Sequence, residues 1–443
     1  MNLSEAVELL SQEARRAGAE QFDIIGQNMR SQGLSVYNKK VQRTELSQSV
    51  GLGIRLFKNG APGYASTEKL APDAIGQTVK DALSHAEFTA KLNIELPGKT
   101  SLVELPEPWN DEIEALTMEQ MATAALEVEA KILAEGAEIE NIPHLGIGTD
   151  SAQGIFANSA GIWHQRRANQ WGMGVGAVAL RDQVRKMGVF HRSGRNLKLL
   201  DTDHIAKMAV ERALELLSPQ PMASGTYPVL FSHRITSSLV GLFLSSFHAE
   251  VVQKGQSRLA EKLGQSIAVP QFVLRSEPHR TDLSRAKVMD SEGIPTQALT
   301  LIEDGKLQNY LYHLESAQRD GTQSTGHGVR GFGSKVSTSF HNTVVAPGSS
   351  SADELRKSMT RGLEIVKLEG ASGCSAVSGE ISIGVQGFLI ENGQRSQVVD
   401  GITLSTNFFD LLQQIEAISS TYHDNFSAIK VPDLLVGGVS VSA

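Results

Sequence analysis

Apolar residues recur at helical spacing near the start of the chain. Ala6, Leu9, Leu10 and Ala14 share one face, which predicts a helix over residues 3–17. Strand-like alternation follows over residues 22–27, 33–37 and 51–57. Asn59-Gly60 then supplies a hairpin turn, because both residue types tolerate positive φ. Ile75, Val79 and Leu83 set a second helix that closes this unit near Ala90.

Residues 96–109 hold three prolines and no period, as a linker does. A second unit opens with a helix over 118–134. It continues through strands near Ile139 and over 154–158, 171–180 and 184–191, and closes with a helix carrying Ile205, Ala209, Ala213 and Leu216 on one face. Residues 51–86 and 174–217 share an order of hairpin and closing helix and read as related halves.

Beyond the Pro- and Gly-bearing boundary at 218–225, residues 235–252 are apolar almost all round through Leu239, Val240, Leu242, Phe243, Leu244 and Phe247, which predicts a deeply buried helix. Strands dominate the rest. Helices are expected at 352–367, where Ser351 and Glu354 have capping-box spacing, and at 408–418. The expected fold is α+β: mixed or antiparallel sheets with flanking helices in the N-terminal half, then a larger β-rich domain around a buried helix. Domain bounds fall at 1–95, 110–218 and 225–443.

Composition narrows the function classes. A formal charge of −8 gives no footprint for nucleic acid, and the densest basic stretch, 181–198, reads as a solvated sheet face. One cysteine, Cys374, allows no internal disulfide. With no signal peptide and no long apolar run, this points to the cytoplasm rather than a membrane.

Catalytic motifs are missing. No two of the 12 histidines stand four apart, as a zinc-binding helix face needs, and no G-x-S-x-G elbow occurs. Ser284-x-x-Lys287 and Ser427-x-x-Lys430 are too short to carry meaning. Gly328-Val-Arg-Gly-Phe-Gly-Ser-Lys335 misses the order of a phosphate loop, and Gly172, Gly174 and Gly176 alternate within a strand.

The third region carries an ordered series: Gly225-Thr-Tyr-Pro-Val, Asp290-Ser-Glu-Gly-Ile-Pro-Thr296, Ile302-Glu-Asp-Gly-Lys-Leu307, Ser324-Thr-Gly-His327, Val377-Ser-Gly-Glu-Ile-Ser and Gly387-Phe-Leu-Ile-Glu-Asn-Gly393. With Asn158-Ser-Ala-Gly161 earlier and 403–410 and 431–438 later, this resembles the TldD/PmbA peptidase family, and within it the PmbA (TldE) branch. The resemblance implies a TldD–TldE pair that degrades unfolded or leader-type peptides. It further implies that the TldD-like catalytic subunit holds zinc through His-Glu-x-x-x-His and a C-terminal Cys.

Aligned on Gly255-Gln-Ser257, those motif positions fall on Val240, Gly241 and Ser245, and residues 421–430 contain no Cys. Ser419-Ser-Thr421 also replaces the branch's usual Gly-Asn-Asp. The resemblance therefore implies no catalytic, metal or cofactor residue in this chain, with zinc in the partner subunit. Peptides and a TldD-like chain are the expected partners, or a second copy in a homodimer, and direct nucleic-acid contact is not expected. Strands at 384–390 and 335–339 are the expected peptide-pairing edges. Two alternatives stay open: a regulatory, gyrase-modulator type of binding protein, and a self-sufficient peptidase with an unrecognised site.

Overall fold

The computed structural model describes residues 1–135 and 138–443. Helix α1 (Leu3–Arg16) starts at a capping box between Asn2 and Glu5 and leads into β1 (Gln21–Tyr37). The two short strands expected over 22–37 are one strand of 17 residues. It turns at Asn38-Lys39, with φ of 50° and 61°, into β2 (Lys40–Lys58), and Asn59-Gly60 leads on into β3 (Ala61–Thr67). Helix α2 (Pro72–Ala86) closes the unit.

After a short α3 (Asp111–Glu114) come α4 (Met118–Ala134), β4 (Ile139–Asn158), β5 (Trp163–Arg181), β6 (Val184–Gly194) and α5 (Thr202–Leu214). All six strands form one antiparallel sheet in the order β3-β2-β1-β4-β5-β6. The central pair β1–β4 runs from Asp23↔Asn158 to Ser35↔Gly146, and each half adds an edge hairpin followed by a helix.

Both helix pairs lie on the same face. Phe22, Ile24 and Ala157 pack under α1 and α2, while Leu34, Ile147 and Trp171 pack under α4 and α5. Arg30 and Ser31 lie between the two helical layers and are exposed. That explains why the apolar alternation lapses in mid-strand although the strand itself continues.

The C-terminal half is built on a closed barrel. Its ring runs through 394–407, 380–391, 361–369, β7 (Gly225–Phe231) and 434–442, and pairing of Thr403 with Ser442 closes it. Closure leaves few free edges. A second sheet has five short strands in the order 306–307, 299–303, 274–276, 343–345 and 429–430.

Two expected helices are cut short. The first spans Ala352–Lys357, and residues 361–369 form a barrel strand instead. Leu355 and Met359 pack outside the barrel while Leu363 enters its core, so helical spacing arose across a helix and a strand. The second spans Phe408–Gln413, and Ile415–Ile418 pairs with 434–436. Among the described residues no helix is long and apolar enough to cross a membrane.

Candidate functional site

The buried apolar segment 235–252 is present but is not one helix. It divides into α6 (His233–Gly241), a 3-10 turn at Leu244–Phe247 and α7 (Ala249–Gln253). An all-round apolar sequence on a straight helix would need cover on every side. The break instead turns Phe243, Leu244 and Phe247 into the core, where Phe243 stacks on Phe408 with ring centroids 4.4 Å apart.

Val240 is 2% exposed and packs in that core. Gly241 ends α6, and a Cβ placed on it would lie 3.1 Å from Cδ1 of Ile429. Ser245 stands on the 3-10 turn, beyond the end of that helix. Valine has no lone pair, glycine no side chain, and a single serine hydroxyl is a poor zinc ligand, so these positions do not fit a zinc ion. Among the described residues no three His, Cys, Asp or Glu side chains stand close enough to share a metal.

The strands expected to capture peptide are not available edges. Residues 384–390 lie inside the barrel and pair on both sides, and only Ser337–Thr338 of the other segment is a strand, paired with Gly328–Val329. A free edge lies elsewhere, on β2, whose outer partner β3 begins pairing only at Leu52. Residues 40–49 of that edge are exposed, Leu46 by 71%.

The face of the large sheet opposite its helices meets the C-terminal half. There Asp23, Arg55, Glu292 and Arg330 form a buried cluster of two carboxylates and two guanidiniums. Arg55 Nε donates to Asp23 at 2.9 Å and its NH1 to Glu292 at 2.7 Å. Arg330 donates to the carboxylate of Asp23, and the second oxygen of Glu292 accepts from the Leu314 N–H at 2.7 Å. Balanced charge and satisfied lone pairs make such burial tolerable. Asp290, beside this cluster, accepts N–H groups of Glu292, Ile294 and Gly328; burial, with Glu292 next to it, pushes its carboxyl up to about 7.

Next to the cluster the two halves enclose a cleft made of two adjoining cavities, of 540 and 500 Å³. Both are lined by Gln27, Gly154, Arg166, Arg195, Ala286 and Lys287. Leu105, Pro106 and Pro108 of the linker cover the first, and His327 and His341, stacked at 4.3 Å, border the second. Burial pushes His327 down to about 3 and His341 to about 2, so both are neutral near pH 7.

In sequence Arg195 reads only as part of a solvated basic face, and Lys287 only as the end of a short Ser-x-x-Lys string. Arg181 and Arg185 of the basic stretch do sit on the surface, paired with Glu138 and Glu140. Arg195 instead enters the cleft and donates to the Ser284 carbonyl at 3.1 Å. Among the described residues no serine hydroxyl is bonded to Lys287, so its Ser-x-x-Lys string forms no catalytic pair. Cys374 is half-buried against the barrel core, and burial raises its thiol pKa.

Family models for the PmbA/TldA metallopeptidase match in three parts: domain 1 at residues 22–86, the central domain at 108–217 and the C-terminal domain at 224–443. The chain belongs to the PmbA/TldD family. The metalloprotease PmbA of Escherichia coli O157:H7 is 26% identical over 423 residues, 92% of this chain and 90% of that protein. A PmbA homologue of Haemophilus influenzae is 23% identical, covering 99% of this chain and 96% of its own length.

Among solved structures, a putative modulator of a DNA gyrase from Thermotoga maritima superposes with a TM-score of 0.90 at 26% identity, over the whole of both chains. TldE from Thermococcus kodakarensis gives 0.88 at 22% identity over 99% of this chain and all of that one, a likeness of fold.

Proposed function

We propose that this chain is the TldE-like, non-catalytic subunit of a TldD–TldE-type zinc peptidase, holding peptide for a partner that carries the metal. The observation behind this reading is the set of side chains at 240, 241 and 245, with Ile429 filling the space beside Gly241. A hydrolytic zinc needs three protein ligands and an open position for water. In this reading both come from a TldD-like subunit, and no step of bond cleavage runs through this chain.

The chain's own contribution is binding. Its cleft joins apolar walls to a few placed polar groups, the usual make-up of a ligand site. The unpaired outer side of β2 offers backbone groups to which an extended peptide or a partner strand could add. Unfolded or leader-type peptides are the substrates of this reading, the cytoplasm is its compartment, and segments 1–95, 110–218 and 225–443 are its three units.

Co-expression with a TldD-like chain from the same genome tests it. The expected result is a stable one-to-one complex that cleaves an unfolded peptide, with neither chain active alone. A chain that stays a homodimer or monomer beside that partner, or that pairs with gyrase instead, would support the regulatory reading.

A further inference from the structure

The cleft has a surplus of desolvated positive charge. Arg166 comes from β5, Arg195 from the bend that follows β6, and Lys287 from the facing loop of the C-terminal half. Among the described residues none of the three has a carboxylate oxygen within 4.0 Å, although surface arginines such as Arg167 and Arg181 do. Arg166 is held by the Ala286 carbonyl and Arg195 by that of Ser284, neutral partners that leave the charge uncompensated. Asp290 offsets part of the Lys287 charge from beyond ion-pair distance but already accepts three backbone N–H groups, and Glu107 at the lip is paired with Arg167 at 2.9 Å.

Gathering cations in a partly dry cleft is costly, since each loses hydration and repels the others. Burial indeed pushes Arg195 down to about 10, with Arg166 adding to the fall, and pushes Arg166 and Lys287 down as well. An anion would remove that cost. Two guanidiniums and an ammonium suit an oxyanion, and an arginine can meet a carboxylate with two parallel hydrogen bonds.

The neighbouring walls are apolar. Ile25, Phe156, Val288 and Met289 line the first cavity, while its partner extends under Phe340. Mixed apolar and cationic lining over this length suits a side-chain-bearing chain better than a free inorganic ion.

We infer that the interdomain cleft binds a peptide through a carboxylate held by Arg166, Arg195 and Lys287, so that the chain selects acidic or C-terminal segments. This deepens the proposed function by naming a substrate class, yet it needs no partner subunit. Its failure would leave the subunit reading standing.

The test is binding to the full chain, without a partner, followed by fluorescence anisotropy of labelled hexapeptides. One carries two Asp or Glu residues and an amidated C-terminus. A second replaces them with Asn or Gln, and a third is the Asn/Gln peptide with a free C-terminus. Either carboxylate-bearing peptide is expected to bind at least 10-fold more tightly than the fully amidated neutral one, and which of them does so identifies the source of the carboxylate.

Lys287→Met should abolish most of that preference while Arg16→Met, at the exposed end of α1 on the opposite face of the sheet, leaves it unchanged. Should Lys287→Met not fold, Arg195→Gln tests the opposite wall. Equal binding of all three peptides overturns the proposal. So does displacement of the acidic peptide by inorganic phosphate or a short oligonucleotide at equal concentration, which would make the cleft a phosphate site.

Discussion

Arg55 on the N-terminal sheet donates to Glu292 of the C-terminal half at 2.7 Å, and both side chains are almost wholly buried. Glu292→Gln removes the carboxylate but leaves the guanidinium in place, short of one counter-charge. Removing one member of a buried pair costs about 3–5 kcal/mol. The double replacement Arg55→Met with Glu292→Met keeps the remaining Asp23–Arg330 pair neutral, so it should cost less than Glu292→Gln alone. Denaturant unfolding of the three proteins measures both.

Gly53 seats the same interface. A Cβ there would collide with the Phe332 carbonyl oxygen, so Gly53→Ala must shift the backbone at Phe332 away from the sheet. The expected loss is about 1–3 kcal/mol, the usual range for overpacking. Gly76, inside α2, has nothing within 4 Å of the same atom. Gly76→Ala should stabilise by up to about 1 kcal/mol through helix propensity. Opposite shifts in melting temperature check the pair.

Stability should fall on acidification below neutrality. His327 and His341 are buried, with pKa values near 3 and 2, against 6.5 for an ordinary histidine. Between about pH 6 and 4 the unfolded chain binds protons at both sites and the folded chain does not. Each site then contributes a slope of about 1.4 kcal/mol per pH unit, with stability rising as pH rises. Asp290 acts in the opposite sense: its raised pKa of about 7 gives stability that is present in acid and lost as pH rises from near 4 through 7. His423 and His248, which burial pushes down to about 3 and about 4, add to the histidine slope, and Asp290 offsets part of the sum. His341→Gln, which can still donate to the Gly326 carbonyl, should flatten the dependence further. Urea titrations from pH 4 to 8 read the slopes.

Local signals were legible where one element met one layer. The helices α1, α2, α4 and α5 and the Asn59-Gly60 hairpin are written in spacing and turn chemistry. The misreadings share a cause in long-range contacts. Leu355, Met359 and Leu363 keep helical spacing, but Leu363 pairs with Val229 across the barrel, which no local window contains. The strands at 22–27 and 33–37 read as separate because residues 29–31 of β1, between the two helical layers, are exposed.

The assignment of degenerate metal positions to Val240, Gly241 and Ser245 rests on the resemblance alone. The cleft was not legible in the sequence. Arg195 and Lys287 are some ninety residues apart in sequence, and only the docking of the two halves brings them together.

We propose that this chain keeps the scaffold of a zinc peptidase without the metal. Metal content of the purified chain, by mass spectrometry alone and in complex with a TldD-like partner, tests it most directly. The account predicts no bound zinc in the isolated chain and about one zinc per heterodimer, set by the three-ligand site of the partner. One zinc per isolated chain, with peptide cleavage lost to a chelator, would contradict it.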